Sequence, residues 1–424
     1  MNIRNIFLAM SILAAPCAMA DEIDTAPVPS ASTEGITAPV PDASASGSID
    51  NEFLTNESNH EGGFLTDFLN EAVSKGMEST ATVPSASPEG QGMEVGRKVT
   101  DFASAPKFGG YFMSGYYYSN KEGAHSGDGF KQKNVRAYVS GTIFKDFSYL
   151  MQVQIANDKF HMKDYWLEWK KYSEFQIKGG QFIRVFGYEN PYNPFEYHDG
   201  AYAQITQQLC GQADYVGEDN GGGRDQGIQI QGDLFPAKDG HRFLHYQFMV
   251  SNGQTINSAD KNSQKDLSGM IAIQPIPGLR IAAWGWTGNF TGSNGVTVDR
   301  DRYMFSIFYD KDDWTFRTEY AHSTGHSVLA ADGNGGFTDK GKQQGWYAAL
   351  GIPCNAWLKT WLKYDSYERD ASVETMKSIY SVAPNIQLHK NLWFQPRVAY
   401  VHDRNLAKDN RNYWELSCEM GVRF

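Results

Sequence analysis

The sequence predicts an all-β protein, a transmembrane antiparallel up-and-down barrel of about sixteen strands. Three observations predict it. Period-two alternation of apolar and polar residues recurs from residue 107 to residue 424. The connections between the alternating segments are short and long in turn. No stretch after residue 20 holds the roughly 20 consecutive apolar residues that a membrane-spanning helix needs. The last segment, "NYWELSCEMGVRF", shows the pattern plainly. Trp414, Leu416, Cys418, Met420, Val422 and Phe424 fall on one parity, and Tyr413, Glu415, Ser417, Glu419, Gly421 and Arg423 on the other. Successive strand side chains point to opposite faces, so this is one strand with an oily and a polar face. It is long enough to cross a bilayer when tilted, which takes about 9–11 residues.

Composition agrees with that class. The chain has 424 residues, of which 14% are aromatic and 42 are glycine. Mean hydropathy is only -0.49, as expected when the inward face of every strand is polar.

Residues 1–20 read as an export signal: Arg4 gives a positive start, "IFLAMSILAA" is a short apolar run, and "AMA" precedes Asp21. Residues 21–105 read as a disordered acidic linker rich in Pro, Ser and Ala, with near-repeats such as "TAPVPSASTEG" and "TAPVPDASASG". Within it, Phe64, Leu65, Phe68, Leu69, Ala72 and Val73 share a helical stripe. Residues 21–100 hold 14 acidic and 3 basic side chains, whereas 101–424 hold 35 and 34. The overall charge of -11 therefore belongs to the linker, and no basic footprint for nucleic acid exists.

Residues 106–424 form the expected barrel domain. Val135, Ala137, Val139 and Ile143 oppose Asn134, Arg136, Tyr138 and Ser140. Met151, Val153 and Ile155 oppose Gln152 and Gln154, and Leu244, Tyr246, Phe248 and Val250 oppose His245 and Gln247. Short connections include "FKDF", "KKYS", "QPIPG", "DKDD", "IPCN" and "QLHKN". Long ones include "NGQTINSADKNSQ", "NFTGSNGVTVDR" and "STGHSVLAADGNGGFTDKGKQ". Outer-membrane barrels keep short turns on the periplasmic side and longer loops outside. An oily parity facing lipid and a polar parity facing the lumen then solve the burial problem, and closure satisfies every edge. The expected location is the bacterial outer membrane, in contact with its lipid and lipopolysaccharide.

Between residues 129 and 190 the text becomes specific. Gly141, Phe144, Lys145, Asp146 and Tyr149, followed by Gly180, Gln181, Phe182, Phe186 and Glu189, resemble motifs of the phosphate-selective porin O and P family. The resemblance implies a sixteen-strand barrel, a homotrimer, and passive diffusion of small anionic, phosphate-like solutes. The chain departs from the family pattern after "GQF", where it has Ile183, Arg184 and Val185. Phosphate selectivity is left open by that departure. The terminal Phe424 resembles the signal by which such proteins are handed to the barrel-insertion machinery.

Selectivity in a pore comes from the charged side chains that line it. By parity, Arg136, Lys170, Lys178, Arg317, Lys359, Lys363 and Arg397 point inward, and Arg184 enters the longest connection. These eight are the expected pore-lining, anion-binding residues, with Arg136, Lys178 and Arg184 foremost. Arg280 and Arg423 share the inward parity, as do Asp164, Glu168, Glu319, Glu415 and Glu419. The longest connection, from Phe182 to about Gly223, is the expected constriction loop. Trp166 and Trp284 also fall inward. Two other functions fit less of the sequence: an outer-membrane barrel hydrolase and a secreted soluble carbohydrate-binding β protein. The histidines are scattered and no GxSxG elbow occurs. Cys210, Cys354 and Cys418 are too widely spaced for a metal site, so neither metal nor cofactor is expected and the protein reads as no enzyme.

Overall fold

The computed structural model describes residues 104–122, 128–156, 159–192, 198–211, 222–254, 256–291, 297–324, 342–371 and 375–424. The expected signal segment and nearly all of the expected linker, including the Phe64–Val73 stripe, lie outside them.

Sixteen strands close into one antiparallel barrel in sequence order. They are β1 (Lys107–Ser119), β2 (Gly129–Ile143), β3 (Phe147–Ala156), β4 (Lys159–Tyr172), β5 (Phe175–Ile183) and β6 (Arg224–Pro236). Next come β7 (Arg242–Ser251), β8 (Asp266–Ile276), β9 (Leu279–Thr291), β10 (Thr297–Lys311) and β11 (Trp314–Thr324). The last five are β12 (Lys342–Asn355), β13 (Leu358–Glu368), β14 (Met376–His389), β15 (Leu392–Asp403) and β16 (Asn412–Arg423). One short helix, α1 (Gln204–Leu209), lies in the connection between β5 and β6. β1 closes on β16 with Tyr111 opposite Arg423 and Ser119 opposite Glu415. Closure leaves no strand edge unpaired, the condition for a sheet in hydrocarbon.

Exposure alternates along the strands as expected. On β11, Thr315, Arg317, Glu319, Ala321 and Ser323 are buried, while Trp314, Phe316 and Tyr320 are exposed. The outward aromatics form a ladder near the long-connection end: Trp346 to Tyr364 at 4.8 Å, Tyr364 to Tyr380 at 5.0 Å, Tyr380 to Tyr400 at 6.4 Å, and Tyr400 to Trp414 at 5.2 Å between ring centroids. Such girdles mark the membrane–water interface of outer-membrane barrels.

The tight turns show why these residues join strands. Phe144 and Lys145 have φ of 51° and 65°, and Asp312 and Asp313 repeat those values. Two consecutive positive φ angles match the right-handed twist of the flanking strands. In the motif that carried the family resemblance, Gly141 faces Tyr149 across β2 and β3, and a Cβ there would lie 2.7 Å from the Tyr149 hydroxyl. The glycine makes room for the ring.

Three expectations need correction. The "NFTGSNGVTVDR" stretch is not all connection: β9 runs to Thr291 and β10 starts at Thr297. Beyond the oily belt both faces of this hairpin are polar, with Asp299 and Asp301 exposed, so hydrophobic alternation could not mark it as strand. Nor are all connections at that end long, since only residues 157–158 join β3 to β4. Finally, the buried parity is not uniformly polar. On β8 to β10 it carries Met270, Ala272, Ala282, Trp284, Trp286, Met304 and Phe308. The cause lies in the long segment after β5.

Candidate functional site

Within β5, shortly before the chain enters the connection, Gly180 has a φ of +136°. A Cβ at Gly180 would sit 2.2 Å from the Tyr165 carbonyl oxygen on β4, so only glycine fits this approach. The following segment supplies buried residues that bond to the buried parity of the far strands. Four carboxylates organise these bonds. Glu319 on β11 accepts the backbone N–H groups of Tyr188 (2.8 Å) and Glu189 (3.1 Å) and the hydroxyls of Ser306 (2.7 Å) and Tyr347 (3.0 Å). Asp365 on β13 accepts the Gln204 N–H at 2.9 Å, at the start of α1. Glu189 accepts the Ala203 N–H at 2.9 Å and the Thr206 hydroxyl.

The fourth, Asp199, ties the segment to three strands. Its carboxylate meets Lys363 Nζ of β13 at 3.1 Å, Arg397 Nε of β15 at 2.9 Å and the Ser381 hydroxyl of β14. Next to it, the His198 carbonyl accepts from Gln395 Nε2 at 3.1 Å, and Lys133 Nζ donates to the Gly200 carbonyl and the Glu419 carboxylate. Burial alone would raise the Asp199 pKa, but Lys363 and Arg397 outweigh it and hold the carboxyl well below the usual range. Burial pushes the neighbouring His198 down to about 4 against the pull of Glu189, whose Oε1 lies 3.1 Å from His198 Nδ1.

Apolar contact completes the seat. Phe186, Ile205 and Leu209 pack in one cluster with Trp284, Trp286, Met304 and Tyr347. Phe186 meets the edge of Trp286 at 5.7 Å, and Tyr188 meets Trp284 at 4.9 Å. These contacts explain the oily patch on the buried parity of β8 to β10. Three guanidinium groups also lie over Trp286: Arg184 at 4.1 Å, Arg302 at 4.5 Å and Arg300 at 4.8 Å. Desolvated cation–π contacts of this kind are worth about 2 kcal/mol. Acidic partners include Asp225 beside Arg184 at 2.9 Å and Asp266 beside Arg300 at 2.8 Å.

The eight cations expected from the sequence lie in different settings. Arg136 donates to Gln152 and Gln154. Lys178 is buried 3.4 Å from Glu168 and lies over the Trp166 ring. Arg184, Lys363 and Arg397 belong to the pairs above. Arg317 reaches Asp310 at 3.5 Å and covers Tyr192 at 4.4 Å. Lys359 donates to the Thr315 hydroxyl at 2.7 Å and lies 5.0 Å from the Trp361 ring. Lys170 is half-buried near the short-turn end of β4. Arg280, second residue of β9, shares its parity with Ala282 and Trp284 but is exposed at that same end. Its charge is close enough to Tyr188 to oppose the burial that pushes that phenol up to about 12. Among the described residues, neither Lys170 nor Arg280 has an acidic partner. Phe424 exchanges backbone hydrogen bonds with Gly110 at 2.9 and 3.0 Å, and its exposed ring has the outward parity. Among the described residues, no three His, Cys, Asp or Glu side chains are grouped so as to hold a metal ion. Cys210 and Cys418 are free thiols.

Sequence reasoning missed Arg224, Arg300 and Arg302, because they flank Gly-rich connections or sit in the polar end of a hairpin. It also missed Asp199, although "ENPYNPFEYHDG" marked the segment that carries it.

Known structures with this architecture supply the decisive observation. An anion-selective porin from Comamonas acidovorans superposes with a TM-score of 0.56 at 13% identity, over 76% of this chain and 99% of its own. The outer-membrane channel DcaP of Acinetobacter baumannii superposes with a TM-score of 0.52 at 11% identity, over 76% and 98%. A trimer form of OmpT, an outer-membrane protein of Vibrio cholerae, gives 0.51 at 9% identity, over 76% and 99%. The fold is that of the outer-membrane porins. No family model matches the sequence, and no curated protein matches it. The porin fold is thus recognised by shape, while identity is too low to carry residue roles across.

Proposed function

We propose that this protein is an outer-membrane porin of bacteria that lets small anionic, phosphate-sized solutes diffuse through its barrel. The 184–223 segment is the inward constriction of this pore, and a homotrimer is its working state. The observation that carries the reading is a closed porin-fold barrel with two cations, Lys170 and Arg280, on the inward parity at the short-turn end, neither of which has an acidic partner among the described residues. Wall charges set ion preference through the local potential, and a charge without a partner contributes most to it. The Arg136, Lys178, Arg184, Arg317, Lys359, Lys363 and Arg397 side chains line the same path, most of them already balanced or hydrogen-bonded. The bonds from Glu319 and Asp365 to the segment after β5, and from Asp199 of that segment to β13, β14 and β15, support a fixed constriction, as opposed to a loop free to swing. The outward oily parity is in contact with lipid and lipopolysaccharide, and the Phe424 strand is the handle for insertion.

Planar-bilayer recording tests this directly. The purified chain should form long-lived open channels whose reversal potential in a KCl gradient favours chloride. Arg280→Gln and Lys170→Gln should each move that potential toward cation preference without lowering the number of channels. Absence of stepwise conductance would end the porin reading. A reversal potential favouring potassium would end the anionic one.

A further inference from the structure

Glutamine recurs on the inward parity of neighbouring strands: Gln152 and Gln154 on β3, Gln176 on β5, Gln229 and Gln231 on β6, and Gln247 on β7. Amides carry no charge and present a donor and an acceptor side by side, so ion preference alone does not call for them. They are held in fixed orientations. Gln229 Nε2 donates to Gln231 Oε1 at 2.6 Å, and Gln231 Nε2 donates to Glu168 Oε1 at 2.7 Å and Gln176 Oε1 at 3.1 Å. Gln247 Nε2 donates to His245 Nε2 at 2.9 Å, and His245 Nδ1 lies 2.8 Å from Asp233 Oδ1. This relay places the Gln247 nitrogen toward the histidine and turns its carbonyl oxygen away from it. Gln229 and Gln247 each use one N–H in these bonds and keep a second N–H and a carbonyl oxygen.

Those two amides line a partly open recess of about 90 Å³ between the barrel wall and the start of the segment after β5. Trp166 of β4 and Trp284 of β9 belong to the same lining, and Phe186 and Pro191 supply the segment's side of it. Both indoles are held in place. The Trp284 N–H donates to the Ser306 hydroxyl at 2.9 Å, and Lys178 Nζ lies 4.8 Å over the Trp166 ring. Two charged side chains reach the recess, and each is paired within the wall, Asp164 with Arg224 at 2.7 Å and Arg184 with Asp225 at 2.9 Å. The recess is therefore nearly neutral. It has room for roughly six waters, about the bulk of one six-membered sugar ring.

We infer that this recess is a subsite for a neutral hexopyranose. Trp166 and Trp284 form the apolar platform for the C–H face of the ring, and Gln229 and Gln247 read its hydroxyls. Neighbouring hydroxyls, each donor and acceptor, match the paired donor and acceptor of an amide, and a solute without them would leave those amides unbonded. A sugar seated here lies between the segment and the wall, so on the pore reading it narrows the path beside it. The bore then serves uncharged hydroxylated solutes as well as the anions proposed above.

The test uses the full chain in an amine-oxide detergent, which has no sugar head group. Glucose should change the intrinsic tryptophan fluorescence with half-saturation on the order of millimolar. Mannitol, which has the hydroxyls but no ring, should not. Gln247→Leu and Trp166→Ala, each checked for folding by heat-modified gel migration, should weaken the glucose response by about tenfold or more. The proposal is overturned by no response to glucose, by an equal response to mannitol, or by an unchanged response in both variants. The mannitol comparison needs no variant, so it decides even where a substitution prevents folding. A second readout is single-channel conductance, which glucose should lower further than mannitol does at equal concentration. Only this readout rests on the pore reading, and the two fail differently: steady channels on which glucose and mannitol act alike refute the subsite alone, whereas an absence of channels refutes the pore and leaves the fluorescence titration to decide the subsite.

Discussion

Replacing Asp199 by asparagine tests how the segment after β5 is held. The wild-type carboxylate lies between Lys363 at 3.1 Å and Arg397 at 2.9 Å, with the Ser381 hydroxyl as a third donor. All four side chains are buried or nearly so, and Glu415 also lies 3.3 Å from Arg397. Asp199→Asn keeps the shape and one acceptor oxygen but removes the carboxylate charge that the two buried cations share. Removing one partner of a buried pair costs about 3–5 kcal/mol. The loss falls on the seating of the segment and spares the barrel, because no ladder hydrogen bond passes through Asp199. At about 1.4 kcal/mol per decade, 3 kcal/mol is a more than hundredfold rise in the unseated population. Hydrogen exchange of the amides of residues 198–209 reads that population, and bilayer current noise reads its effect on the pore. Exchange should accelerate by about two decades and the current should flicker, while heat-modified gel migration of the barrel stays unchanged. An acceleration of less than about tenfold would show that apolar packing on Trp284 and Trp286 holds the segment and the ionic seat does not.

Other perturbations have equally definite outcomes. His198 is held neutral, its pKa depressed from 6.5 to about 4. Seating is therefore fully stable above the ordinary histidine value and weakens as pH falls through that window, by up to about 3 kcal/mol. Current noise should rise between pH 6.5 and 4 in the wild type, and a His198→Gln variant that kept the same rise would refute this origin. Asp199, with its pKa depressed by Lys363 and Arg397, keeps its contribution until pH falls below the usual carboxylate range. Gly180→Ala should destabilise the barrel by about 1–3 kcal/mol, measured as a lower midpoint of heat-modified migration, because its Cβ would meet the Tyr165 carbonyl at 2.2 Å. Trp286→Ala should cost about 3–5 kcal/mol and release the three arginines that lie over the ring; an unchanged unfolding midpoint in denaturant would contradict their role.

The barrel was legible because its two faces differ in polarity, which imposes a period of two on every strand. Phe316 outside and Arg317 inside could be assigned by counting alone. Legibility stopped where that contrast stops. At the polar end of the β9–β10 hairpin, Asp299 and Asp301 carry no oily face, so the sequence reads Arg300 as connection. It stopped again on β8 to β10, where Met270, Trp284 and Met304 are apolar on the buried side because a remote segment covers them. Parity assigned seven of the eight cations to the inward face, with Arg184 in the long connection, yet it could not say that Lys363 and Arg397 share one carboxylate 164 and 198 residues away in sequence. That is a property of closure, which brings β13 and β15 to the same stretch of the β5–β6 connection.

The oily patch behind Phe186 and Leu209 sets a limit on redesign. Anyone excising the described residues after β5 would strip cover from tryptophans and methionines that water cannot wet. Connection length and wall chemistry are thus one variable here: a shorter strap requires repainting the inside of three staves in hydrophilic residues first.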